Sequence, residues 1–75
     1  MQAKLQATIA AEVRAEMARQ NRTQRELGAA VGLDQAAVSR CLSGERAFRA
    51  HELVLAARFL GKPVEHFAPA QDVAA

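Results

Sequence analysis

The chain is poor in the residues that staple, kink or anchor a protein. It has one cysteine, Cys41, in 75 residues. A lone thiol excludes an intramolecular disulfide. It fits a reducing cytoplasm, where a buried Cys behaves as a small hydrophobe. The two prolines, Pro63 and Pro69, both fall after residue 62, so no proline interrupts the chain before then. Strand formers are few and alanine is frequent, a strongly helical composition. No apolar run approaches the roughly 20 residues of a membrane span, and there is no secretory signal pattern. His51 adjoins Glu52 and His66 adjoins Glu65. Adjacent residues on a helix diverge by about 100°, so neither pair converges on a metal. There is no nucleophile–base pattern and no phosphate-cradling glycine loop. No enzymatic activity, cofactor, metal, membrane or small-molecule ligand is expected.

What the chain does have is a short helix, a glycine turn and a second short helix with a polar outer face, within residues 24–44. Thr23, Gln24, Arg25 and Glu26 form a capping-box pattern, a hydroxyl answered by a Glu three residues on. Leu27, Ala30 and Val31 then share one face. Gly28 lies inside this helix, where glycine costs about 1 kcal/mol against alanine. That cost points to close approach by a second helix, the alternative being an indifferent surface glycine. Gly32 suits a left-handed C-terminal turn, and Asp34 stands where an N-cap belongs. Over Gln35–Leu42, Val38 and Cys41 point one way. Ala36, Ser39, Arg40 and Ser43 point the other, with Gln35 and Leu42 on the boundary. An outer face of Gln, Ala, Ser and Arg can read base edges: Gln bonds adenine, Arg bonds guanine, and an Ala methyl meets the thymine methyl. The same face standing alone is an ordinary solvated surface. Placed after a matched helix and turn, it favours the major groove of DNA.

The flanking segments supply a frame. Leu5, Ile9, Val13 and Met17 recur every four residues and predict a long first helix, with Glu12, Arg14 and Arg19 outside and Asn21 as its stop. Ser43 to Arg49 read as a loop, anchored to the core by Phe48. Leu53, Val54, Ala56, Ala57, Phe59 and Leu60 predict an apolar helix ended by Gly61 and Pro63. Val64 to Phe67 suit one short final turn. The expected organisation is an N-terminal extension over 1–8, a helical lengthening of the first helix or a frayed tail, a helical DNA-binding domain over 9–67, and a mobile tail over 68–75. The fold expected is all-α, a compact bundle of about five helices. It is one small domain, near the lower size that folds without staples.

At these residues the chain resembles the phage repressor/Cro-type helix-turn-helix family, the lambda repressor-like fold. The family's motif opens with a Gln, here Gln24. It carries a small residue four further on, usually Ala, here Gly28. Then come the turn glycine, here Gly32, and two buried apolar residues, here Val38 and Cys41. Leu42, Ser43, Gly44, Glu45 and Arg46 resemble the family's loop after the recognition helix. The resemblance covers about residues 9–67. Two residues depart from it: Arg22 stands at a usually apolar place, and Cys41 is smaller than the usual aliphatic. The resemblance implies that Gln35, Ala36 and Arg40 meet base edges, with Ser39 helping. It implies that Gln24 touches a phosphate and braces Gln35. It also implies that the crossing helix leaves room for one methyl at position 28.

Net charge is only +2, but its distribution follows the motif. Seven Arg against four acidic residues lie between Arg14 and Arg49, a local +3; the remainder carries three basic against four acidic residues, a local −1. Beside a groove-reading helix this excess suggests phosphate contacts, with Thr23, Ser43, Arg46 and Arg49 as further candidates. The expected function is a sequence-specific regulator of transcription, most simply a repressor, binding double-stranded DNA as a homodimer or as part of a larger repressor. The alternative is an antitoxin-like adaptor that binds a partner protein with the same helices. An aromatic-rich anchor cluster on residues 35–40 would favour that alternative, and this face has no aromatic residue.

Overall fold

The computed structural model describes residues 2–68, with side chains from residue 5 onward. Four α-helices and one 3-10 turn follow in chain order: α1 (Gln2–Gln20), α2 (Gln24–Val31), α3 (Gln35–Ser43), α4 (Ala50–Leu60) and the turn Val64–His66. There is no strand among the described residues, so the fold is all-α. The expected mobile tail lies, from Pro69 on, outside the described residues; Ala68 is half-buried and packs against the core.

The four-residue spacing in α1 does what the pattern predicts. Ile9, Val13 and Met17 are buried, and Leu5 packs beside them. Asn21 ends the helix with φ 57°, a left-handed conformation that Asn tolerates better than most residues. The Arg22 amide then bonds back to the Met17 carbonyl at 2.9 Å. α1 packs on α3 and α4, and α2 packs on both of these as well. Leu27 and Val31 from α2 meet Val38, Cys41 and Leu42 from α3 and Ala56, Ala57 and Leu60 from α4 in one core, closed by Phe48 and Phe67. Each large apolar side chain so buried contributes about 1.5–3 kcal/mol.

Three details differ from the sequence pattern. α4 begins at Ala50, three residues before the apolar run, because the Glu52 carboxylate accepts the Arg49 amide at 2.8 Å and closes the first turn. α3 runs to Ser43, one residue beyond Leu42, and Gly44 ends it with φ 89°. Leu33, in the turn between α2 and α3, is half-buried against the core. Arg22 fills its unusual place without leaving the junction open. Its guanidinium carbon lies 4.0 Å from the Phe59 ring centroid, a cation over an aromatic face. The long Arg stem and flat head thus cover an aromatic ring where an apolar residue is usual.

A polar cluster ties the end of α1 to the far end of the chain. Buried Glu16 accepts Gln20 Nε2 at 2.8 Å and Arg19 Nη1 at 2.6 Å, and His66 Nε2 lies 3.4 Å from it. The Gln20 hydrogen bond, opposed by burial and aided by Arg19, holds the Glu16 carboxyl below its usual range. Gln20 Nε2 also donates to the Leu60 carbonyl at 2.8 Å, one of the orphan carbonyls at the end of α4.

Candidate nucleic-acid interface

The frame presents α2 and α3 as a pair whose three junctions are all hydrogen-bonded. Both halves of the Thr23–Glu26 box are made: the Glu26 amide donates to Thr23 Oγ1 at 3.1 Å, and the Thr23 amide donates to Glu26 Oε1 at 2.8 Å. Gly32 turns the chain at φ 77°, where a side chain would be strained. The Gly32 and Leu33 amides both donate to the Gly28 carbonyl, at 2.8 and 3.0 Å. Asp34 Oδ1 accepts the Ala37 amide at 2.8 Å and starts α3.

Gly28 is buried where α2 faces the turn and α3. A β-carbon built there would stand 2.8 Å from the Leu33 carbonyl oxygen and 3.1 Å from Val38 Cγ2. Close approach was legible in the sequence, but the nearest neighbour is the turn backbone and not only the second helix. The room for a methyl that the resemblance implies is absent. The Leu33 carbonyl cannot swing away freely, because the amides of its turn are tied to Gly28 itself.

α3 is held at both ends and open between them. Gln35 Nε2 donates to Gln24 Oε1 at 2.8 Å, so the first residues of α2 and α3 are braced together. At the other end Arg14 donates to the Leu42 carbonyl. Beneath, Val38, Cys41 and Leu42 are buried. Outward, Gln35, Ala36, Ser39 and Arg40 are all exposed on one face. Ser39 and Arg40 have no side-chain partner among the described residues. Ser43 is exposed at the same end, its hydroxyl donating to the Arg40 carbonyl at 3.0 Å. Thr23, Gln24 and Arg49 are exposed too.

Arg46 is placed differently from the other phosphate candidates. Its Nη1 and Nη2 lie 2.8 and 3.0 Å from the two oxygens of Glu52, a bidentate pair, and Nη1 also lies 3.0 Å from Cys41 Sγ. The Glu52 side chain is only 3% exposed and that of Arg46 24%. Its guanidinium is therefore engaged by the interior, unlike the side chains of Thr23, Gln24, Ser43 and Arg49, which are exposed. The small Cys41 supplies a sulfur acceptor where an aliphatic is usual. Arg46's hydrogen bonds hold the Glu52 carboxyl down at about 2, with burial opposing and the Arg49 amide assisting. Glu52 in turn raises Arg46 above the usual guanidinium range.

Among the described residues no group of His, Cys, Asp and Glu is placed to hold a metal ion, and no helix is long and apolar enough to cross a membrane. Two capped helices at a left-handed glycine turn, the second with a free polar face, define a helix-turn-helix domain that presents one helix to DNA. The chain belongs to the phage repressor/Cro-type helix-turn-helix family, whose model matches residues 13–67, and it is a DNA-binding transcription regulator at the level of that family. No curated protein and no solved structure matches the chain significantly.

Proposed function

We propose that the protein is a sequence-specific repressor that reads the major groove of double-stranded DNA with α3. The observation that carries this reading is the outward face of α3. Gln35, Ala36, Ser39 and Arg40 are exposed together, and the only side-chain hydrogen bond among them braces Gln35 on Gln24. Gln35 and Arg40 supply the bidentate groups suited to adenine and guanine, Ala36 an apolar contact for thymine, and Ser39 a short donor–acceptor. Thr23 and Gln24 at the start of α2, Ser43 at the end of α3 and the exposed Arg49 suit phosphates, which fix register without carrying sequence. Occupancy of such a site excludes other proteins from the same DNA, the simplest route to repression.

One domain of this size covers only a few base pairs, so paired half-sites read by a homodimer supply the remaining specificity. The core takes up most of the apolar residues after position 52. Val54, at 43% exposure, is the large hydrophobic side chain left on the surface among the described residues. Selection of bound duplexes from a random pool tests the whole reading. The expected product is an inverted repeat with half-site centres about 34 Å apart or a multiple of that. A short asymmetric site bound one-to-one would exclude the dimer, and an unenriched pool would exclude sequence reading altogether.

A further inference from the structure

We propose that Arg25 is a DNA-phosphate contact of this domain, a role that rests on the DNA reading above. Several arginines of the chain are committed inside the protein. Arg14 bonds a carbonyl, Arg19 and Arg46 pair with carboxylates, and Arg22 covers Phe59. Arg25 is exposed and has no hydrogen bond, ion pair or ring partner among the described residues. The three carboxylates nearest in the chain, Glu26, Glu16 and Asp34, do not claim it, and Glu16 is engaged by Arg19 and Gln20. Glu26 is engaged by the Thr23 amide and lies 3.7 Å from Arg22, and Asp34 is engaged by the Ala37 amide.

Its position points the free cation at DNA. A depression of about 420 Å³ lies between α2 and α3, lined by Gln24, Arg25, Gly28, Leu33, Gln35 and Val38. Gly28, Leu33 and Val38 are buried or half-buried and form its floor, while Gln24, Arg25 and Gln35 are exposed and form its rim. The Gln35–Gln24 hydrogen bond fixes that rim to the first residue of the reading helix. The N-terminal residues of such a helix are those that reach base edges. The sugar–phosphate strand bordering the groove therefore passes this rim. A guanidinium there matches phosphate geometry with two parallel hydrogen bonds and carries no information about the base.

The test compares Arg25→Ala with Arg58→Ala in the full chain. Arg58 is likewise exposed and unpartnered among the described residues but sits in the last turn of α4, and each variant loses one formal charge. Binding is measured to a selected duplex and to a random duplex over a range of salt. Arg25→Ala should weaken both duplexes alike, about tenfold, and lower the slope of log K against log salt by about 1. Its thermal unfolding should match wild type, because no internal contact is lost. Arg58→Ala should leave the slope unchanged. An unchanged slope for Arg25→Ala, an equal change for both variants, a loss confined to one base position, or a lowered melting temperature would each overturn the assignment. If those results came with a wild-type chain that binds duplex DNA and an Arg40→Ala variant that does not discriminate, the groove reading would stand without Arg25. A wild-type chain with no salt-dependent binding to any duplex would overturn that reading itself.

Discussion

Replacing Glu52 by Gln isolates the charge of one buried carboxylate. Gln keeps the shape, and its side-chain oxygen can still accept the Arg49 amide that starts α4. What is lost is the ionic half of the pair with Arg46. The Glu52 carboxyl is lowered from 4.5 to about 2. At about 1.4 kcal/mol per pH unit this corresponds to a ceiling of roughly 3 kcal/mol. Arg46 remains partly open to solvent, so screening reduces the expected loss to about 2 kcal/mol at neutral pH. For a domain of this size that is a fall in Tm on the order of 10 °C. The sign with pH follows from the depressed value. Glu52 contributes its full stabilisation above its unfolded value of 4.5 and loses it as pH falls through about 2. The gap between wild type and Glu52→Gln should therefore be constant from pH 7 to about 5, shrink to less than half by roughly pH 3, and close near pH 2. Urea unfolding followed by far-UV circular dichroism at several pH values measures it. A gap that is absent at pH 7, or that stays constant down to pH 3, would refute the ionic account of this node. Arg46→Ala is the companion experiment: it should lower stability at pH 7, while the salt slope of DNA binding by the folded protein stays at the wild-type value.

Gly28→Ala gains about 1 kcal/mol of helix propensity but drives a β-carbon into the turn carbonyl, an overpacking that costs about 1–3 kcal/mol. The net change should be a loss on the order of 1 kcal/mol in thermal melts, larger for Gly28→Val, and a raised Tm for the Ala variant would show that the turn has room. Val38→Asp would place an unpaired carboxylate under α3 and should unfold the domain, since several kcal/mol is most of the stability available to so small a protein; an unchanged melting curve would show that this face of α3 is not buried. Arg40→Ala should cost about 1–3 kcal/mol of specific binding and relax preference at one base position, visible on repeating the duplex selection with the variant; a uniform loss at every site would argue for a phosphate contact instead.

Those features of the motif that depend on neighbours in the chain were legible in the sequence. Thr23 with Glu26, Gly32, and Asp34 before α3 are local arrangements in which the residue type itself supplies the acceptor or the left-handed turn. The inner face of α3 was legible because 3.6-residue spacing separates Val38 and Cys41 from Ala36, Ser39 and Arg40. The start of α4 was less so, because its cap is a carboxylate reaching back to the amide of an arginine, and arginine is no ordinary N-cap residue. The inward engagement of Arg46 is hidden for a related reason. A cation beside a recognition helix suggests phosphate until Glu52, across the loop, is known to point inward. The freedom of Arg25 is not legible in the sequence, because charge counts do not distinguish a free guanidinium from a paired one. At Gly28 the sequence signalled close packing, but the distance to a turn carbonyl is set by tertiary geometry that no spacing rule contains.

The two fastenings of α3 separate upkeep of the fold from the surface proposed to choose the target. Gln24 and Arg14 grip the helix at its extremities, and Val38, Cys41 and Leu42 seat it from below. Positions 36, 39 and 40 thus lie between fixed points and take no part in the hydrophobic core. Substitutions there can accumulate at little thermodynamic penalty, because exposed sites of this kind usually change stability by no more than about 0.5 kcal/mol. A library randomised at those three positions should consist largely of folded members that differ in the DNA they prefer.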